Sequence, residues 1–147
     1  MLVLITAGLQ AQELDKDQVK NLIENKNFVF KAQSASPMGG TNRPLTSEYD
    51  LRLLGDSVVT YLPYFGRAYT APIPGESGGI RFTSTEFDYK AKQRRKGGWE
   101  ITIVPKDVND VRQIMLSVSE NGWANLQVTS NTRQPISFNG YIVSGKR

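Results

Sequence analysis

The sequence predicts an all-β domain with one N-terminal helix: about eight antiparallel strands in a small barrel-like or sandwich sheet. Three observations carry this. Val, Ile, Thr, Tyr and Phe alternate with polar residues over a succession of short runs, the period of a half-buried strand. Thirteen glycines and seven prolines are spread through the chain and break those runs as turns. The connections are mostly too short for parallel crossovers, so neighbouring strands should run antiparallel. We favour a barrel-like closed or partly open sheet with the helix covering one end.

The 147 residues are enough for one domain with a core of its own. The hydrophobic fraction of 39% suits a folded chain. The net charge of +4 and the pI near 9.4 are a mild basic bias. Phosphate readers concentrate their charge in one stripe, so no nucleic-acid partner is expected. Cysteine and histidine are both absent. That excludes thiolate nucleophiles, disulfides, thiolate or imidazole metal sites and a Ser-His-Asp triad. No metal site and no cofactor are expected, and an enzyme built here would have to use carboxylates, Ser, Thr, Lys, Arg or Tyr.

Met1 to Gly8 carries no charge, and polarity begins abruptly at Glu13. An apolar run followed by small residues is the pattern of a secretory signal peptide, with cleavage expected after Ala11. The positively charged start of such a segment is missing. A buried first strand or core helix is the alternative. The run is too short to span a bilayer. The expected division is therefore a signal remnant at 1–11 and one β-rich domain at 12–147, periplasmic or secreted.

Leu14 to Asn25 is the helix: Val19, Leu22 and Ile23 share a face, and Asp15 and Asp17 favour its N-terminal end. Phe28 to Gln33 alternates as a strand. Ser34 to Thr46 reads as a loop, with Pro37, Gly39, Gly40, Asn42 and Pro44. Tyr49 to Leu54 and Ser57 to Tyr64 are strands joined at Gly55-Asp56, and Pro63 marks an edge, a bulge or the strand's end. Ile80 to Gln93 is one long alternating strand, with Phe87 and Tyr89 on one side and Phe82, Glu86 and Asp88 on the other. A turn at Lys96-Gly97-Gly98 leads to Trp99 to Val104, with Trp99, Ile101 and Ile103 inward. Pro105 to Asp110 is a connector. Arg112 to Ser119 turns at Asn121-Gly122, expected as a type I′ turn with both central residues at positive φ. Trp123 to Ser130 and Ile136 to Val143 complete the sheet.

The densest concentration of aromatic, arginine and glycine residues lies between Asp56 and Phe82. Tyr61, Tyr64, Arg67 and Tyr69 are the candidate ligand-binding residues: tyrosine faces with a guanidinium hook suit a small anionic or sugar ligand. The bland reading is that the tyrosines fill core and Arg67 packs over one of them. Gly75 to Gly79 lacks the Lys-Ser/Thr of a phosphate loop and reads as a turn. Lys90, Lys92, Arg94, Arg95 and Lys96 form a basic hairpin end, either a contact for acidic envelope polymers or a solvated tip that discourages edge pairing. Glu86, Asp88 and Glu100 are the carboxylates a glycosidase would need, though Lys90 and Lys92 neutralise them more simply. Asp107, Asn109 and Asp110 lack calcium-loop spacing and read as a turn.

The order of elements, with Gly55-Asp56-Ser57, Tyr61-Leu62-Pro63-Tyr64-Phe65-Gly66-Arg67-Ala68-Tyr69, Gly78-Gly79-Ile80 and Ser137-Phe138-Asn139-Gly140, resembles a domain-of-unknown-function family. Its members are small exported proteins of Gram-negative gut-type bacteria. The resemblance spans nearly the whole chain after the apolar segment. It implies an envelope location and one β-rich domain, and supplies no activity. The functional expectation is an exported module that binds a ligand or a cell-envelope component. A carboxylate- or Ser/Lys-based hydrolase and an assembly factor acting through a sheet edge are the alternatives.

Overall fold

The computed structural model describes residues 14–37, 41–64 and 79–145. Helix α1 spans Lys16–Glu24. Asp15 caps it: its carboxylate accepts the Gln18 N–H at 2.8 Å, and the Gln18 side chain accepts the Asp15 N–H at 2.9 Å. This reciprocal pair satisfies two of the donors a helix start leaves open. Val19 and Ile23, one turn apart, are fully buried. Lys26, at φ 52°, turns the chain into the sheet.

Nine strands follow: β1 Asn27–Pro37, β2 Arg43–Leu54, β3 Ser57–Leu62, β4 Ile80–Ser84, β5 Phe87–Gln93, β6 Trp99–Pro105, β7 Val111–Val118, β8 Trp123–Ser130 and β9 Ile136–Ser144. They form one antiparallel sheet in the order β4-β3-β2-β1-β9-β8-β7-β6-β5. Two meanders, β1 to β4 and β5 to β8, are joined through β9, which pairs with both β1 and β8.

The edges of this sheet explain why the sequence reads as eight strands. Every neighbouring pair is antiparallel, and β4 and β5 are the first and last of nine, so they run in the same direction. Only Thr85 and Glu86 separate them. They are the two halves of one bent strand, Ile80 to Gln93, whose first half pairs with β3 and whose second half pairs with β6. The sheet curls nearly closed around this strand. The bend also shifts the alternation. Ile80 and Ser84 are buried before it, Phe87 and Tyr89 pack inward after it, and Phe82 packs on the same core. The expectation that Phe82 faces away from Phe87 fails because the two bend residues reverse the parity.

The predicted loop from Ser34 to Thr46 is shorter than expected. β1 continues to Pro37, and β2 begins at Arg43. Ser34 and Ser36 are the outward residues of a strand whose Ala35 is buried, and this strand pairs with β9 through Pro37–Ile136. Outward serines and a terminal proline gave the segment a loop-like composition. Pro63 lies just beyond β3, as a residue without an N–H should.

The interior is filled by side chains. Phe28, Phe30, Leu51, Ile101, Leu116 and Phe138 are among those fully buried. α1 lies across one end. The Leu14 N–H donates to Asn121 O at 3.1 Å, the Tyr89 hydroxyl donates to Ile23 O at 2.9 Å, and the Gly55 N–H donates to Lys26 O at 2.7 Å. Burial pushes the Tyr89 phenol well above its ordinary pKa, so the group stays a donor. The turns also differ in type from one expectation. Asn121 has no positive φ; Gly122, at 98°, has. The Gly122 N–H donates to Ser119 O and the Ser119 N–H to Trp123 O, closing a three-residue loop with glycine as the bulge residue.

Candidate functional site

Among the described residues, two tyrosine–arginine centres involve the expected Tyr61 and Tyr64. Tyr61 is on the outer face of β3, directly opposite Arg81 on β4. The Arg81 guanidinium lies 4.4 Å from the Tyr61 ring centroid and donates to its hydroxyl at 3.3 Å. Tyr49 stacks on Tyr61 with centroids 5.5 Å apart. Tyr64 is three residues further on, beyond the end of the strand, and is half-buried. Its hydroxyl donates to Gln134 O at 3.0 Å, and the Arg133 guanidinium sits 4.5 Å from its ring.

Arg133 is the centre of a structural knot. It donates to the Asp110 carboxylate at 2.7 Å and to Gly79 O at 3.4 Å, tying the β8–β9 turn to the β6–β7 turn and to the approach to β4. Asp110 also accepts from the hydroxyls of Ser130 and Thr132. Burial alone would raise the Asp110 pKa; these hydroxyl donors and the Arg133 charge outweigh it and hold the carboxyl below its usual range. Tyr64 therefore reads as part of a packed corner. Tyr61 is open, 42% exposed. Arg67 and Tyr69 lie outside the described residues. Arg81 and Arg133 escaped sequence reading for different reasons: the register of the strand after the loop would have placed Arg81 opposite Tyr61, whereas nothing local links Arg133 to Tyr64.

Tyr61 belongs to a longer feature. Following the register from strand to strand, Arg81 faces Tyr61, Tyr61 faces Asp50, Asp50 faces Lys31, Lys31 faces Tyr141, and Tyr141 faces Trp123. One row thus crosses six strands on the outer face. Among the described residues, Tyr61 and Trp123 are the exposed large hydrophobics, and they stand near its two ends. The Trp123 and Tyr141 rings meet edge to face at 5.9 Å. Between the aromatic ends is a small depression of about 220 Å³ bordered by Lys31, Asp50 and Arg52. The next row on β7, β8, β9 and β1 reads Ser117, Asn125, Asn139, Ser34. Asn125 donates its amide to the Asn139 carbonyl at 2.8 Å.

The other candidates resolve as local structure. Lys90, Lys92, Arg94, Arg95 and Lys96 are all exposed along β5 and its turn. Lys92 is opposite Glu100. Arg94 and Lys96 line an open depression with Lys16 and Glu120, the last two paired at 3.5 Å. Asp88 pairs with Lys106 at 3.3 Å. The Asp107 carboxylate accepts from the Ser84 hydroxyl and from the Thr85 and Glu86 N–H groups, so it braces the bend between β4 and β5. The Ser84 bond first, then the Thr85 N–H, keep its pKa below the ordinary value. Among the described residues no group of three acidic side chains could hold a metal ion, and no helix is long and apolar enough to cross a membrane.

A family model described as "Domain of unknown function (DUF4251)" matches residues 10–142. The fold is similar to the crystal structure of a DUF4251 family protein from Bacteroides eggerthii, with a TM-score of 0.64 and 16% identity over 88% of this chain and 87% of that one. A search of the curated proteins finds no match.

Proposed function

The chain belongs to the DUF4251 family, and from that premise we propose that it is an exported, non-catalytic module that docks on a cell-envelope component through the outer face of its barrel. The observation that carries this is the outer row from Arg81 to Trp123, with an exposed aromatic residue near each end and polar groups between. Exposed tyrosine, tryptophan and arginine are the residues that anchor recognition surfaces. The filled interior argues against a carrier. Of the carboxylates a glycosidase would need, Asp88 pairs with Lys106 and Glu100 stands opposite Lys92 on the neighbouring strand, which supports a non-catalytic reading. Export rests on the apolar Met1 to Gly8 and the polar break at Glu13.

The test is made in the native host. Fractionation and N-terminal sequencing should find the protein outside the cytoplasm without residues 1–11. The purified mature protein should co-sediment with isolated envelopes, and Tyr61→Ala combined with Trp123→Ala should weaken that about tenfold or more while leaving the melting temperature near the parent's. A cytoplasmic full-length protein would end the export reading. Unchanged co-sedimentation of the double variant would end the docking reading.

A further inference from the structure

The outer face of β7, β8, β9 and β1 differs in chemistry from the rest of the surface. β8 presents Trp123, Asn125, Gln127 and Thr129, and β9 adds Asn139 and Tyr141. Beside them on β1 and β7 the outward residues include Ser34, Ser36 and Ser117. Charged residues make up 22% of the chain, yet the outward positions of these four strands carry only Lys31 and Arg112.

We infer that this face binds a neutral glycan chain. The inference rests on reading the outer face as the docking surface, and it names the ligand class. A sugar ring has an apolar face of C–H groups and a rim of hydroxyls. The first suits an exposed indole; the second suits amides and hydroxyls that both donate and accept. Asn125 and Asn139 spend one donor and one acceptor on each other. The Asn139 amide donors and the Asn125 carbonyl remain for a ligand, held in a fixed pair. Trp123 is 41% exposed and is braced by Tyr141, so it loses little freedom on binding. The near absence of charge decides the class. A nucleic acid or an acidic polymer would need a field of cations here. A protein partner of ordinary kind would bring a more apolar patch at the centre of its contact. A polar face with few charges and an aromatic pair at one end matches an uncharged chain of hydroxyls.

The experiment is affinity electrophoresis of the mature protein in gels containing soluble neutral polysaccharides (mannan, xyloglucan, hydroxyethyl cellulose, starch), with polygalacturonate as the acidic control. At least one neutral polymer should retard the protein, equally at low and high salt, since no ion pair is involved. Trp123→Ala should weaken retardation about tenfold or more, and Gln127→Ala, chosen because Gln127 is exposed on β8, should weaken it measurably. Retardation by polygalacturonate alone, no retardation by any neutral polymer, or full retardation of Trp123→Ala would overturn the inference. If envelope co-sedimentation still depends on Tyr61 and Trp123 in that event, the docking face stands and only its ligand class falls.

Discussion

The hydroxyl of Ser84, the last residue of β4, donates to the carboxylate of Asp107, which follows β6. This bond joins the β4 edge of the sheet to the end of β6, the neighbour of the other edge, at the point where the bent strand changes partners. The same carboxylate receives the N–H groups of both bend residues. A single acidic side chain thus supplies the acceptors that a strand loses where its ladder is interrupted.

That arrangement makes the fold sensitive to acid. Asp107 and Asp110 both titrate below the ordinary aspartate value in the folded protein. A depressed folded-state pKa contributes stability that is present above the unfolded value of about 4 and is lost as pH falls through the folded one. Urea midpoints should therefore hold from neutrality to about pH 5 and drop below about pH 4. In Asp107→Asn combined with Asp110→Asn that drop should be shallower. An equally steep fall in the double variant would assign the acid response to other groups.

Gly140→Ala should destabilise the protein by about 1–3 kcal/mol. A Cβ at this position would lie 1.9 Å from the Lys31 carbonyl oxygen, so β1 and β9 would have to move apart. Chemical denaturation checks the size of the effect. Parental stability would mean that the β1–β9 pair is looser than its geometry implies.

Gly122→Val should lower stability by about 1 kcal/mol or more, because a β-branched residue resists a φ of 98°. Asn121→Ala should cost less, since Asn121 does not need positive φ in this loop. A larger loss at Asn121 than at Gly122 would reverse the assignment of the turn.

Arg133→Met should cost about 1–3 kcal/mol, mostly through the partly buried Asp110 left without its cation. Asp110→Asn in the same chain should recover part of the loss. A double-mutant cycle measured by thermal or urea unfolding gives the coupling directly. Strictly additive losses would show that the two side chains act independently.

Where the sequence was legible, the reason is burial on one side. Trp99, Ile101 and Ile103, and then Ile114, Leu116 and Val118, alternate cleanly because each strand has one face in the core. The helix was legible from Asp15 and the Val19–Ile23 spacing. The bend at Thr85–Glu86 was not, because a strand that exchanges one neighbour for another looks continuous in its own residues. The site was half legible. Tyr61 could be picked out as a candidate ligand contact, while its place in a strand with apolar residues on both faces left a core position equally open. Its arginine partner depends on the register after a long connection, and its row-mates Tyr141 and Trp123 depend on β9 coming between β1 and β8. No local pattern announces such long-range pairing.

The place of β9 governs the order in which the molecule can be completed. It is the last of the nine strands in sequence, and it is the one that joins the two meanders. Without it, β1 and β8 each present an unpaired flank, and no ladder joins the two meanders. Contacts between the first and last strands are the most distant in sequence, and such contacts form slowly. The barrel therefore closes only when this late strand docks between β1 and β8. For a protein that leaves the cytoplasm, as proposed here, the delay would keep it threadable until it has crossed the membrane.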